Sequence, residues 1–181
     1  KVLVVAESKN GEIKKPTFEL LSLAKSQNLQ AETVLIGNDV SSQADLLAGY
    51  GAEKVYLADA PGLSIYNTSQ FTALVVDAAK QSGATQIWLT PSETGRDLTP
   101  RVAARFGVGA LSDVTELKIN GDDITATRPC MATKLVQQCR FRNDGLKVIS
   151  IRAGAYEATE ASAGSAQTVS LSIPEADPRV E

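Results

Sequence analysis

Short aliphatic, β-branched runs alternate with amphipathic helical spacings through the first two thirds of this 181-residue chain, and this alternation restricts the fold more than any other feature. Residues 2–6 (Val-Leu-Val-Val-Ala) form a run of the kind buried on both faces of a parallel sheet. After a turn at Gly11, Thr17 precedes Phe18, Leu20, Leu21, Leu23 and Ala24, the spacing of an amphipathic helix capped by Thr17 or carrying Pro16 in its first turn. The unit repeats. Strand 33–36 is followed by a helix from Ser41 or Ser42 to about Gly49. Strand 54–58 is followed by a longer helix from Asn67 or Thr68 to near Gly83. Strand 86–90 is followed by helix 95–106, stopped by Gly107. Strands separated by helices at such spacings imply βαβ crossovers and a mostly parallel, Rossmann-like sheet with helices on both faces.

The pattern changes after Gly109. Residues 114–119, 124–128, 133–141, 147–152 and 168–173 read as strands with no long helix between them, and Asn120-Gly121 and Asn143-Asp144-Gly145 are hairpin turn signals. Antiparallel strands are therefore expected in the C-terminal third, at the sheet edge or as a subsidiary sheet. The Ala-, Ser- and Gly-rich stretch 158–166 reads as a loop. A single α/β domain is expected over 1–174, with 175–181 as a linker toward a further domain.

Composition narrows the function. The net charge of −3 argues against nucleic acid, whose phosphates need a basic face, and against a polybasic membrane anchor. No apolar run approaches the roughly 20 residues that span a bilayer, so no membrane insertion is expected. A cytoplasmic location is the default. The chain has no histidine, which excludes Ser-His-Asp and Cys-His catalysis and His-ligated zinc; no catalytic residue and no metal site are expected. Cys130 and Cys139, at an odd separation, would face opposite sides of one extended strand and read as reduced structural thiols.

In open α/β sheets ligands bind beyond the carboxyl ends of the strands, where the strand order reverses. Residues 7–11, 37–40 and 90–97 reach such ends. The last is a strand-to-helix turn, Pro91-Ser92-Glu93-Thr94-Gly95, followed by Arg96 and Asp97. Backbone amides at the helix start and the Arg96 guanidinium could face an anion. Alternatively Ser92 or Thr94 only caps the helix while Arg96 and Asp97 lie on the surface. Glu7, ending the first strand, is either functional or hydrogen-bonded to a neighbouring loop. The chain contains no G-x-x-x-x-G-K-[ST] loop and no G-x-G-x-x-G fingerprint. Asp122 and Asp123 sit in a hairpin turn and read as solvated, as does Lys14-Lys15.

Several segments, in order, resemble one known family. Residues 2–7 followed by Gly11 and Thr17-Phe18-Glu19-Leu20-Leu21, then Gly51 to Tyr56, resemble electron transfer flavoprotein alpha subunits. So does Thr94-Gly95-Arg96-Asp97-Leu98-Thr99-Pro100-Arg101-Val102-Ala103-Ala104 running into Gly107-Val108-Gly109 and residues 112–116. Arg128-Pro129, residues 148–152 and residues 155–158 continue the likeness. Ser8 stands where the family often has histidine, and Met131-Ala132-Thr133 where it usually has Tyr-Ala-Gly. The resemblance implies the amino-terminal domain of such a subunit, with a sheet of the adenine nucleotide alpha hydrolase-like kind and a cytoplasmic or mitochondrial-matrix setting. It implies a beta-subunit partner, dehydrogenases engaged through that complex, and an FAD in the full-length protein that is carried by a carboxyl-terminal domain, with none bound to this chain. The loop at Ser92–Gly95 with Glu7, Arg96 and Asp97 is then a vestigial nucleotide loop. The alternative is a free-standing adenine-nucleotide-binding domain.

Overall fold

The computed structural model describes all residues except Asn143, Glu160, Ala161, Ala163, Val180 and Glu181. The chain runs β1 (Val2–Ala6), a small hairpin β2 (Ser8–Lys9) and β3 (Glu12–Ile13), α1 (Lys15–Ser26), β4 (Ala31–Gly37), α2 (Ala44–Gly49), β5 (Ala52–Asp59), α3 (Thr68–Ser82), β6 (Gln86–Leu89) and α4 (Glu93–Phe106). Then follow β7 (Ala110–Val114), β8 (Glu116–Asn120), β9 (Asp123–Cys130), β10 (Leu135–Arg140), β11 (Lys147–Ile151) and β12 (Gln167–Ser170).

Seven strands form the main sheet in the order β12-β5-β4-β1-β6-β11-β7, and every neighbouring pair is parallel. Each residue of β1 is buried, as is each residue of β4, β6 and β11. Side chains alternate across the sheet, so one run feeds two cores. Val2, Val4, Leu35, Trp88 and Ile149 pack with Leu20, Leu21 and Leu47 from α1 and α2. Leu3, Val5, Val34, Ile87 and Val148 pack on the other face with Leu74, Val75, Leu98 and Val102 from α3 and α4. Burying one such aliphatic side chain contributes about 1.5–3 kcal/mol, which is why continuous apolar runs specify central strands.

Local chemistry sets the helix ends. Asn67 caps α3 by accepting the N–H groups of Ser69 and Gln70, and Ser92 caps α4 by accepting that of Gly95. Gly83 and Gly107 end the same helices in the left-handed conformation. At α1 the choice between cap and first-turn proline falls to Pro16. Thr17 lies inside the helix, and its hydroxyl accepts the Glu7 N–H at 3.1 Å.

The C-terminal third differs from the expectation in detail. The antiparallel addition is the three-stranded sheet β10-β9-β8, with Asn120-Gly121 as the β8–β9 turn. The runs expected at 147–152 and 168–173, by contrast, supply parallel strands of the main sheet: β11 lies between β6 and β7, and β12 lies beside β5. The signal at Asn143–Gly145 therefore makes no hairpin. It lies where the chain passes from the small sheet back to the large one, and Asn143 itself is outside the described residues. The strand expected at 114–119 breaks at Thr115 into β7 and β8. Cys130 and Cys139 lie on paired strands rather than on one, and both thiols are free.

Among the described residues, the crossover from β11 to β12 has no helix. Its described residues are stitched to the α1 and α2 face: Gly154 N–H donates to Glu19 Oε2 (2.7 Å), Thr159 N–H to Ser22 Oγ (3.0 Å) and Ser162 N–H to the Gly49 carbonyl (3.0 Å). These bonds satisfy a connection that has no ladder of its own. Of the stretch expected as a loop at 158–166, Glu160, Ala161 and Ala163 lie outside the described residues, as do Val180 and Glu181 of the terminal segment. That segment meets the start of α3, where Gln70 Nε2 donates to the Pro174 carbonyl and Asp177 N–H to Ser69 Oγ.

Candidate functional site

From β1 the chain moves outward to β4 and β5, and α3 then carries it back to β6 on the opposite flank of β1. The order reverses between β1 and β6, and their carboxyl ends open the crevice that such sheets use for ligands. Glu7 directly follows β1 and Thr90 directly follows β6.

Those two ends are joined through the Glu7 carboxylate. Its Oε1 accepts hydrogen bonds from the Thr90 hydroxyl at 2.7 Å and the Ser92 hydroxyl at 2.5 Å, and its Oε2 accepts from Lys14 Nζ at 3.1 Å. Ser92 in turn accepts the Gly95 N–H at 3.0 Å, so one hydroxyl both caps α4 and holds the carboxylate. A negative group beside a helix start is favoured by the amides exposed there and by the helix dipole. The protein supplies that group itself. The Gly95 amide at this turn is not open to a flavin or nucleotide diphosphate, because Ser92 Oγ already accepts its N–H.

Gly95 is present for space. A Cβ built on it would lie 1.7 Å from the Thr90 carbonyl oxygen, so only glycine lets the first turn of α4 approach the end of β6 this closely. The remaining expected residues disperse. Thr94 lines a cleft of about 540 Å³ with Glu7, Lys14, Gly37, Asp39 and Tyr66. Arg96 is exposed and lines a second cleft of about 370 Å³ with Lys14, Ser92, Asp113 and Arg152. Glu7 and Lys14 belong to both linings.

Asp97 lies outside both linings and acts as a strut. Its carboxylate accepts hydrogen bonds from the Tyr66 hydroxyl (2.7 Å), the Thr68 hydroxyl and Arg101 Nε (2.8 Å), tying α4 to the start of α3. Burial pushes its pKa up, but the donors from Thr68, Tyr66 and Arg101 outweigh that and hold the carboxyl below its ordinary range. Burial also pushes the Tyr66 hydroxyl up, to about 12, with the Asp97 charge adding to the rise.

Glu7, Ser92 and Gly95 thus come together, whereas Thr94 and Arg96 face separate clefts and Asp97 braces a helix. Sequence reasoning missed Lys14, which reads as half of a solvated pair. It also missed Asp113 and Arg152, which join the crevice only because β7 and β11 run parallel beside β6. Arg152 closes a residue run ending a strand, and that position was the available signal. Its Nε and Nη2 donate to Asp113 Oδ1 and Oδ2 at 2.8 and 2.6 Å. This pairing holds the Asp113 carboxyl below the usual carboxylate range, with Arg96 and Arg128 lowering it further. Among the described residues no group of three or more metal-binding side chains converges, and no helix is long and apolar enough to cross a membrane.

Comparison with known proteins agrees with this architecture. Residues 2–176 match the family model described as Electron transfer flavoprotein domain. The chain is 29% identical over 178 residues to an electron transfer flavoprotein subunit alpha of Bacillus subtilis, covering 96% of this chain and 54% of that one. It is 31% identical over 162 residues to the Protein FixB of Clostridium saccharobutylicum, covering 86% of this chain and 48% of that one. Over 123 residues it is 33% identical to an acryloyl-CoA reductase electron transfer subunit beta of Anaerotignum propionicum, covering 66% and 34%. The chain spans about half the length of the curated alpha subunits it matches. With its parallel sheet, its added antiparallel strands and a family match over nearly every residue, this chain belongs to the electron transfer flavoprotein family.

Proposed function

We propose that these residues are the scaffold and partner-binding portion of an electron transfer flavoprotein alpha subunit, a carrier that takes electrons from dehydrogenases and passes them to an acceptor. In this reading the FAD is held outside this chain, the partner is a beta subunit, and the dehydrogenases engage the assembled pair. FAD supplies the electron chemistry when bound to the full protein; the present residues position domains around it.

The observation that carries this reading is the small sheet. Strands β8 and β9 are anchored, with Leu117, Ile124 and Ala126 reaching the main core. Among the described residues the sheet's outer strand β10 pairs with β9 alone, and Leu135 and Val136, with Met131 in the preceding turn, are 53%, 73% and 71% exposed. Exposed apolar residues along an unpaired strand edge mark a surface that another chain covers. Mixing this chain with the beta subunit and measuring mass by light scattering tests the assignment. A single heterodimeric species that Val136→Lys disperses is expected; two independent peaks for the unaltered pair would refute it.

A second reading, a free-standing adenine-nucleotide-binding domain, is favoured by the 540 Å³ cleft at the ends of β1 and β4, whose size suits a nucleotide. Calorimetric titration with AMP, ATP and FAD discriminates. Sub-millimolar AMP or ATP binding supports this reading, and no heat supports the scaffold.

A further inference from the structure

The 370 Å³ cleft on the far side of Glu7 has an arrangement that the scaffold reading does not use. Three strand ends meet there: Thr90 and Ser92 follow β6, Asp113 lies at the end of β7, and Arg152 follows β11. The lining carries three cations, Lys14, Arg96 and Arg152, against two carboxylates, Glu7 and Asp113. A fourth cation stands behind it, because Arg128 on β9 is near enough to act electrostatically on Asp113.

Each cation differs in what it has left to give. Lys14 is committed to Glu7. Arg152 is clamped by both oxygens of Asp113, which fixes the plane of its guanidinium and leaves Nη1 outside that pair. The clamp is itself built: Asp113 adopts φ +61, a conformation few residues other than glycine take, and its N–H donates to Ser150 Oγ at 3.1 Å. The Arg96 guanidinium has no hydrogen-bond or ion-pair partner among the described residues. It stands in the first turns of α4, where the helix dipole favours anions and disfavours a cation. Arg128 Nε is buried and has no partner among the described residues. A buried, unsatisfied charged donor costs more than an exposed one, so its retention needs a reason.

We propose that this cleft is an oxyanion site whose ligand is a phosphate group, inorganic or the terminal group of a small monoester, held by Arg96 and by the pre-set guanidinium of Arg152. Planar guanidinium forks match phosphate oxygens in pairs, and a positive excess of one to two charges matches a phosphate of one to two negative charges. Glu7 and Lys14 line both this site and the larger cleft, whereas the two guanidiniums invoked here, Arg96 and Arg152, line only this one.

The test is calorimetric titration of this chain with inorganic phosphate at low ionic strength, repeated with glycerol 3-phosphate and with AMP. Saturable phosphate binding in the sub-millimolar to low-millimolar range is expected. Arg96→Gln and Arg152→Lys each weaken it by roughly tenfold, since one keeps no charge and the other keeps charge without the fork. Lys9→Gln, in the other cleft, changes it less than about twofold. Tighter binding of glycerol 3-phosphate than of phosphate, with the same sensitivity to Arg96→Gln, identifies a monoester; equal affinity identifies inorganic phosphate. Absence of saturable heat with phosphate overturns the proposal. So does binding that Lys9→Gln weakens and Arg96→Gln spares. Arg96 is exposed, so its variant folds, and unchanged thermal unfolding of Arg96→Gln checks that a loss of binding is local.

Discussion

Strands β1 and β10 each carry an adjacent Val and Leu, and these aliphatic pairs lie in opposite environments. All five residues of β1 are buried, whereas β10 has none buried and five of its six exposed. In β1 both faces are covered, by α1 and α2 on one side and α3 and α4 on the other, and both edges are paired. In β10 one edge is free, and the side chains of Leu135 and Val136 meet solvent. The lesson is that aliphatic content states a strand's need for cover without saying who provides it. The main sheet supplies its own cover; among the described residues nothing covers Leu135 and Val136 of the small sheet.

The contrast is broken most severely from the self-covered side. Trp88 is fully buried between β1 and β11, with its indole N–H on Gln86 Oε1 at 3.0 Å. Trp88→Ala is expected to cost about 4 kcal/mol in denaturant unfolding, combining lost transfer energy with a large cavity. Gly95→Ala comes next, at about 3 kcal/mol, because the new methyl must displace backbone at the Thr90 carbonyl. A loss below about 0.5 kcal/mol for Gly95→Ala would show that α4 can withdraw from β6 freely, and that the Glu7 contact does not fix the turn.

The pH dependence of stability comes third and reports on the struts around the sheet. Asp97 and Asp113 have folded pKa values below their unfolded ones, so their contribution is full above the ordinary carboxylate range and is lost as pH falls through the folded values. Tyr56 and Tyr66 are both raised to about 12, chiefly by burial. Their contribution is full below about pH 10 and is lost as pH rises from there toward 12. Thermal unfolding is therefore expected to show a plateau across neutral pH with acid and alkaline limbs. Tyr66→Phe flattens the alkaline limb and leaves the acid limb from Asp113 in place. An alkaline limb unchanged in both Tyr66→Phe and Tyr56→Phe would assign it to other groups.

How far the sequence reached follows from the same contrast. The four strand–helix units over 2–106 were legible because their signals are local: short aliphatic runs give way to a 3.6-residue periodicity, and caps such as Asn67 and Ser92 sit at the junctions. Strand β7 was not legible, because four of its five residues are only half-buried and show no alternation. Strands β11 and β12 were legible as strands and misplaced as partners. Pairing between β6 and β11 joins residues about 60 apart, and nothing within 147–151 states which sheet it enters. The site divides the same way. Glu7, Ser92 and Gly95 follow strands whose adjacency a doubly wound sheet already implies. Asp113 and Arg152 required the placement of β7 and β11. Gly95 was read as part of an anion loop, while its necessity is steric and depends on the position of the Thr90 carbonyl.

The smallest effect on stability is the most informative about the open side. Val136 on β10 is 73% exposed and touches neither core cluster. Val136→Lys is expected to change unfolding free energy by less than about 0.5 kcal/mol, as a substitution at an exposed site does. The same change should abolish or strongly weaken assembly with the beta subunit, because a lysine on the free edge must be desolvated when a chain packs against it. Leu117→Ala, beneath the same sheet, provides the counterpart: it should cost about 2–3 kcal/mol in stability. The dissociation between the two readouts separates interface from core. If Val136→Lys destabilised the isolated chain by 2 kcal/mol or more, β10 would already be covered by its own fold, and the difference between the two sheets would lose its meaning.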